Sequence, residues 1–304
     1  MGVPMDNGGY GRVGTSWAAQ AVRTAEVILP WGPSGVSTET QVDPFADLVM
    51  VDYGDIPVDA MSIERSLGSI RETVREVAET GAIPIMVGGN HSIMYPHVLG
   101  VTDDYGKKSM TIIHVDAHTD MSSENLGHYV TIGNMVKLSV EEGLVDGKHM
   151  ISVGQRAPGY GPDKLAWYRE NNVRIYWQGE FEDRGFRNVL MDVVEDIKAG
   201  PGKIYLSVDI DVLDPAAAPG VTAPVLGGWT TRQLVEFIRT VAVTGDIVGA
   251  DFVEYNPLVD DRGRTTALIT NNMIRELLNG IALRKNGIRE PHYYHPDILG
   301  GNRN

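Results

Sequence analysis

Cysteine is missing altogether from the 304 residues. That excludes disulfides, thiolate metal sites and a cysteine nucleophile in one step, so any metal must rest on imidazole and carboxylate ligands. Positive charge is scarce: 26 Lys and Arg stand against 40 Asp and Glu, a formal net charge of −14. No Lys/Arg cluster offsets that balance locally, which argues against nucleic acid as a partner and for small cations. No apolar run approaches the ~20 residues of a membrane span, and the first residues lack the charged and apolar regions of a signal peptide. The expectation is a cytoplasmic protein with no membrane partner. What is present is ordinary for a globular enzyme: 42% hydrophobic and 22% charged residues, enough for a substantial core. No internal repeat, low-complexity tract or linker divides the chain, so one domain over residues 1–304 is expected.

Short apolar runs alternate with longer helical patterns, the signature of βαβ units and a parallel sheet. Strands are predicted over Asp47 to Val51, Ile83 to Val87, Met110 to Val115, Met150 to Val153, Val173 to Trp177, Ile204 to Val208 and Ile247 to Val253. Most are apolar on both faces, as strands covered by helices on both sides should be. Helices are predicted over Met61 to Glu79, Asn134 to Glu142, Val189 to Lys198, Thr231 to Val243 and Thr266 to Arg284, with Thr230 or Thr231 as the N-cap of the fourth. The tail from Asn286 to Asn304 reads as an extended arm. The opening Met1-Gly2-Val3-Pro4-Met5-Asp6 reads like the end of a buried strand entering a loop. The expectation there is a trimmed or renumbered start.

Functional residues of open parallel sheets gather beyond the carboxyl ends of the strands. Three predicted strands end in acidic or histidine residues: Gly88-Gly89-Asn90-His91, Asp116-Ala117-His118-Thr119-Asp120 and Asp209-Ile210-Asp211. Strand side chains alternate faces, so Asp116, His118 and Asp120 share one direction, as do Asp209 and Asp211. A lone strand-end Asp or His is usually a turn or cap residue. Four carboxylates and two imidazoles at one end of one sheet are a different matter. Buried together without cations, the carboxylates would repel at a cost of many kcal/mol. Two divalent ions relieve that repulsion, and a mixed carboxylate and imidazole set suits Mn²⁺, Ni²⁺, Co²⁺ or Zn²⁺. Such a pair would share a water and lower its pKa toward neutrality.

These motifs resemble those of the ureohydrolase (agmatinase/arginase) family, namely Gly88-Gly-Asn-His-Ser92, Asp116-Ala-His-Thr-Asp120 and Ser207-Val-Asp-Ile-Asp-Val-Leu-Asp-Pro215. The similarity extends along nearly the whole chain. It includes Gly2-Val-Pro-Met-Asp6, Gly11-Arg12-Val13-Gly14, Val51-Asp52-Tyr53-Gly54-Asp55 and Gly249-Ala-Asp-Phe-Val-Glu254. The resemblance implies an arginase-like three-layer αβα sandwich with a mainly parallel sheet. It also implies a trimer or hexamer, homo- or hetero-oligomeric, in which a paralogous subunit could pair with this one. The implied cofactors are two divalent ions, Mn²⁺ or Ni²⁺. His91, Asp116, Asp120 and Asp209 would hold one ion. Asp116, His118, Asp209 and Asp211 would hold the other. Glu254 falls where the family has a carboxylate for the substrate guanidinium; a carboxylate suits that planar cation because it can accept from two of its N–H groups at once. In the implied reaction a metal-bridging hydroxide attacks the guanidinium carbon, and Asp120 accepts its hydrogen bond.

Two departures bear on substrate. Where the family carries a proton-shuttling His after the D-x-H-x-D motif, this chain has Ile132, and isoleucine cannot move a proton. His128, four residues earlier, is the candidate replacement. The loop after Pro215 reads Pro219-Gly220-Val221-Thr222-Ala223-Pro224, with two family hydroxyls lost and Thr222 at a shifted position. A pocket that exchanges hydroxyls for methyls changes which ligand it prefers. Ile132, Val221, Thr222 and Glu254 are therefore the expected substrate-binding residues. The expected substrate is a small cationic guanidine or biguanide, in the manner of the metformin hydrolases that resemble agmatinases. The alternatives are an agmatinase or guanidinobutyrase proper, or a non-catalytic, metal-bound subunit of a hetero-oligomer. A deacetylase on the related fold fits less well, because those enzymes hold a single zinc.

Overall fold

The computed structural model describes residues 1–7, 9, 12–25, 35–122, 127–159 and 161–299. Residues 300–304 of the expected arm and Gly11 of the expected opening motif lie outside the described residues. Six strands form one sheet: β1 (Ile85–Val87), β2 (Met110–Val115), β3 (Met150–Val153), β4 (Arg174–Tyr176), β5 (Lys203–Asp209) and β6 (Asp246–Val253), in the order β1-β6-β5-β2-β3-β4. Every pairing is parallel. Ten α-helices cross between or flank the strands among the described residues. They are α1 (Ala18–Arg23), α2 (Pro44–Asp47), α3 (Ile63–Glu79), α4 (Met94–Tyr105), α5 (Met135–Glu141), α6 (Pro162–Glu170), α7 (Gln178–Arg184), α8 (Phe186–Lys198), α9 (Thr231–Thr244) and α10 (Thr265–Lys285). This is the expected arginase-like α/β architecture.

Two apolar cores explain why the strands are apolar on both faces. On one face Ile113, Val115, Ile151, Leu206 and Val208 pack with α8 and α9 residues such as Val193, Phe237 and Val241. On the other, Met86, Ile112, Met110 and Tyr205 pack with Ile70 and Val74 of α3 and Val98 and Val101 of α4. Covering helices on both sides leave water no access to either face, so alternation disappears and length marks the strand. Helix boundaries follow from local chemistry. Thr230 caps α9 by accepting from Gln233 N while the Gln233 side chain returns to the Thr230 backbone, a reciprocal capping box.

The first predicted strand, Asp47 to Val51, is not a strand. Asp43 caps Pro44–Asp47 by accepting from Phe45 N, and proline at the first helical position turns the segment into α2. Beyond it Val49 is 97% exposed and Val51 78% exposed. The chain meets a main-chain partner only at Gly54 to Ile56, where Gly2 N donates to Gly54 O and Ile56 N donates to Gly2 O. Met1 to Val3 lie against β1, with Val87 N donating to Met1 O and Val3 N donating to Val87 O. Among the described residues no helix is long and apolar enough to cross a membrane.

Candidate metal centre

The parallel sheet ends β1, β2, β5 and β6 on one side, and each exit carries a polar residue of the centre. After β1 the chain must reverse sharply. Gly88 (φ 85°) and Gly89 (φ 75°) provide two successive left-handed residues, and Asn90 accepts from Ser92 N to start the 3-10 turn that opens with His91. Asp116, His118 and Asp120 follow β2. Asp209 closes β5 and accepts from Asp211 N at 2.7 Å, which folds Asp211 back beside it. Glu254 follows β6.

Side chains from three exits meet in one buried cluster. His91 Nδ1 lies 3.0 Å from Asp116 Oδ2, 2.9 Å from Asp120 Oδ2 and 3.5 Å from Asp209 Oδ2. His118 Nδ1 lies 2.9 Å from Asp211 Oδ2 and 3.4 Å from Asp116 Oδ1. Two groups with metal-ligand spacing result: His91, His114, Asp116 and Asp120, and beside them Asp116, His118 and Asp211. Asp116 belongs to both, one oxygen facing each. All six residues expected from the motifs are thus brought together. His114, which sequence reasoning passed over, joins them with Nε2 3.1 Å from Asp116 Oδ2. The signal was available: His114 stands two residues before Asp116 on the same strand and shares its face.

A cation is what this donor set lacks. His91 Nδ1, His114 Nε2, Asp116 Oδ2 and Asp120 Oδ2 are all buried without a partner in hydrogen-bonding geometry. Buried polar atoms are almost always satisfied, so four orphans converging on one another mark a ligand-binding point. The electrostatics agree. Burial, followed by the charges of Asp211 and Asp116, pushes Asp209 far above the usual carboxylate range, and burial with Asp116 raises Asp211. Burial works against charge on His91 as well, yet the carboxylates of Asp116, Asp120 and Asp209 outweigh it and raise that imidazole. Carboxylates gathered this closely call for positive charge, which divalent ions would supply. The residues present fit two such ions.

Asp120 (φ 47°) and Glu254 (φ 63°) are non-glycine residues in left-handed backbone. Such conformations cost of order 1–3 kcal/mol and persist where the surroundings enforce them, commonly at functional sites. Glu254 is 5% exposed. Its Oε1 accepts from His91 N at 2.7 Å, and Oε2 is buried and unpartnered. Burial pushes this carboxyl up to about 7, although the His91 N–H and the Thr222 hydroxyl favour its charged form. An acceptor oxygen buried in this way, with only the Thr222 hydroxyl beside it, is suited to a cationic N–H group.

The other expected residues are placed differently. His128 is exposed and its charge is felt by Glu64 at the start of α3; it is not part of either cluster. Ile132 is half-buried at the rim, where a Cβ added to Gly9 would lie 3.9 Å from Ile132 Cγ2. Val221 is fully buried in the apolar core and bridges Tyr255, so it supports the loop from beneath. Thr222 donates its N–H to Glu254 O at 3.3 Å, and its hydroxyl is buried beside the Glu254 carboxylate.

Arg156 was also missed by sequence reasoning. Its guanidinium donates to the carbonyls of Gly154, Asp211, Val212, Leu213, Val225 and Leu226 at 2.7–3.4 Å. One side chain thereby ties the end of β3 to both ends of the loop that carries Val221 and Thr222. No motif announces it, because its acceptors are main-chain groups far away in sequence.

The comparisons with known proteins agree with this geometry. The profile described as Arginase family matches residues 1–279. A mitochondrial agmatinase of Gallus gallus is 33% identical over 91% of this chain and 79% of its own length. A guanidinobutyrase of Pseudomonas aeruginosa is 32% identical over 91% of this chain and 84% of its own. The solved structure of proclavaminate amidino hydrolase from Streptomyces clavuligerus superposes with a TM-score of 0.83 at 28% identity, covering 93% of this chain and 91% of that one. With a parallel sheet in this order, acidic and imidazole side chains gathered at its strand exits and a match across most of its length, the chain belongs to the arginase family.

Proposed function

We propose that this chain is an amidinohydrolase that cleaves a C–N bond of a small guanidine or biguanide with alkyl substituents, releasing an amine and urea or a urea derivative. The observation that carries the reaction class is the largely buried cluster of His91, Asp116, His118, Asp120, Asp209 and Asp211, with Glu254 held against it by the His91 N–H. His91, Asp116, Asp120 and Asp209 would hold one divalent ion, and Asp116, His118, Asp209 and Asp211 the other. Mn²⁺ and Ni²⁺ both suit carboxylate and imidazole ligands. When bound, the pair supplies Lewis acidity that makes water a nucleophile near neutral pH.

The protein's own groups do the rest. Glu254 receives the guanidinium N–H and orients its carbon toward the cluster. Asp120, held by its left-handed backbone with one oxygen toward His91, accepts a hydrogen bond from the attacking water. The departing nitrogen leaves as a basic amine and takes its proton from that water, since His128 stands outside the cluster and Ile132 has none to give.

The substrate reading rests on the rim. Ile132 occupies the place where the family resemblance puts a His. Val13 and Leu258 are 66% and 65% exposed, Leu258 on the segment that follows Glu254 and Val13 tied to that segment where Asn256 Nδ2 donates to Val13 O. An alkyl substituent would cover such a surface, whereas the polar tail of agmatine or arginine would gain little from it. The relatives' names favour a second reading, agmatine or a guanidino acid as substrate. One panel decides between them: kcat/KM for agmatine, guanidinobutyrate, arginine, dimethylguanidine and metformin, with Mn²⁺- and Ni²⁺-loaded protein separately. Agmatine, arginine or guanidinobutyrate winning by a wide margin would sink the alkylguanidine reading. Inactivity on all five with two ions bound would instead favour a non-catalytic subunit. A trimer or hexamer, with a paralogous partner in that last case, is part of the same proposal.

A further inference from the structure

Two buried histidines, His91 and His114, stack with ring centroids 5.1 Å apart, and each turns one ring nitrogen toward Asp116 and Asp120. What stands behind each ring differs. A neutral imidazole has one N–H and one lone pair, and the partner of the outward nitrogen decides which nitrogen has which.

Behind His91 stands a chain of hydroxyl groups ending in a carboxylate. His91 Nε2 is 2.9 Å from Ser207 Oγ. Ser207 Oγ in turn donates to Asp251 Oδ1 at 2.6 Å, and the Tyr205 hydroxyl donates to Asp251 Oδ2. A carboxylate only accepts, so the one Ser207 proton is committed to Asp251. Ser207 Oγ can then only accept from His91, which places hydrogen on Nε2 and leaves the Nδ1 lone pair facing the cluster. Sheet register fixes the relay: Ser207 pairs with Asp251 across β5 and β6, and with His114 across β5 and β2. Ser207, Tyr205 and Asp251 are all 0% exposed, so no water competes for these bonds. Behind His114 the arrangement is weaker. Nδ1 lies 3.3 Å from Ser152 Oγ and 3.4 Å from Gln155 Nε2, and among the described residues no carboxylate bonds to either side chain.

We propose that Asp251 and Ser207 are positioning residues that make His91 a metal ligand by fixing its tautomer and ring plane, and that His114, without such a relay, is left out of the ligand set as a polar neighbour of Asp116 and Asp120. Outer partners of this kind typically change metal affinity by 10–100-fold. The inference rests on the metal-centre reading above.

The test uses the full chain and Mn²⁺ alone. Ser207→Ala cuts the relay at one hydroxyl and leaves Asp251 in place. Its Mn²⁺ titration should show one ion bound roughly 10–100-fold more weakly and the other unchanged. Electron paramagnetic resonance at two equivalents should change from a spin-coupled pair to an isolated six-line ion. The metal-free melting temperature should remain near that of the parent. Tyr205→Phe, which spares the Ser207–His91 bond, should keep both ions. Asp251→Asn, of equal volume, supplies the second cut should Ser207→Ala fold poorly, with weakening in the same direction. Two ions bound to Ser207→Ala with parent affinity would overturn the inference. So would equal loss of both ions together with metal-free stability, or loss in Tyr205→Phe as large as in Ser207→Ala. A parent protein that binds no pair of ions would instead bring down the metal-centre reading itself.

Discussion

Asp116 offers a direct measure of how the two ligand groups are joined. Its Oδ2 faces His91 and His114 at 3.0 and 3.1 Å, while Oδ1 faces His118 at 3.4 Å. An Asp116→Asn substitution keeps the volume and removes a charge from both groups, whereas His118→Asn touches one. Ions that bind only the folded state stabilise it by mass action, roughly 4 kcal/mol per site at a thousandfold excess over Kd. Unfolding entropy near 60 °C is about 2.1 cal/mol/K per residue, so a chain of this length changes by roughly 0.6 kcal/mol per degree. The parent should therefore gain about 13 °C in melting temperature from two sites under those conditions. His118→Asn should keep about 6 °C of that gain and Asp116→Asn close to none. The assay is differential scanning fluorimetry of metal-free protein against a Mn²⁺ series, with bound metal counted by elemental analysis. A full parental gain in Asp116→Asn, or equal gains in the two variants, would refute the shared-ligand geometry.

Glu254→Gln should lower kcat/KM by roughly 10²–10³-fold, the cost of removing one partner of a buried charged pair, while two ions remain bound; lost metal would reassign Glu254 to the centre. His128→Ala should leave kcat/KM within about twofold at each pH tested, because the side chain is exposed toward Glu64, and a drop on the 10²–10⁴-fold scale of a lost general acid would restore it as the shuttle. Arg156→Lys should destabilise the fold by about 3 kcal/mol, since a lysine ammonium cannot reach six carbonyls and leaves several buried acceptors unpaired. Chemical denaturation reads that loss, and KM should rise as the Val221–Thr222 loop loosens; a neutral result would remove the clamp from the argument.

Much of the sheet was legible because both faces of each strand are buried. Met110 to Val115 and Met150 to Val153 form strands with the predicted limits, and the other strand limits shift by a residue or two. Asp47 to Val51 failed because apolar composition does not supply a partner strand, and the Asp43-Pro44 cap chemistry just upstream is a helix signal. Helix α4 escaped prediction for the opposite reason. It is buried on most sides, from Met94 to Thr102, so the one-sided periodicity that reveals surface helices is absent there. Arg156 and Asp251 were invisible as functional candidates, since their roles depend on main-chain and hydroxyl groups that only the folded register brings near.

The same distinction separates the proposed metal ligands from the proposed substrate pocket. The candidate ligands sit at the exits of paired strands, where register fixes position to within a hydrogen bond and residue type alone nearly picks them out. Asp120 and Glu254 are strained, yet their neighbours hold them from both directions: Val136 N donates to Asp120 O, Glu254 N donates to Gly89 O, and Thr222 N donates to Glu254 O. Ile132, Val221 and Thr222 belong to the segments that provide those restraints, Ile132 half-buried, Val221 in the core beneath the loop and Thr222 beside Glu254. Val221 shows how a motif comparison can mislead: a changed residue beside the pocket in sequence turned out to face the core, where the loss of a hydroxyl alters packing under the loop. The proposed function therefore assigns substrate preference to the rim, exposed Val13 and Leu258 with half-buried Ile132, where changes would retune the ligand without disturbing the metal centre. That predicts a separable variant. Ile132→His should alter kcat/KM ratios across the guanidine panel while the Mn²⁺-dependent gain in melting temperature stays at the parental value. A variant that lost both together would show that rim and centre are one cooperative unit, and the division argued here would fall.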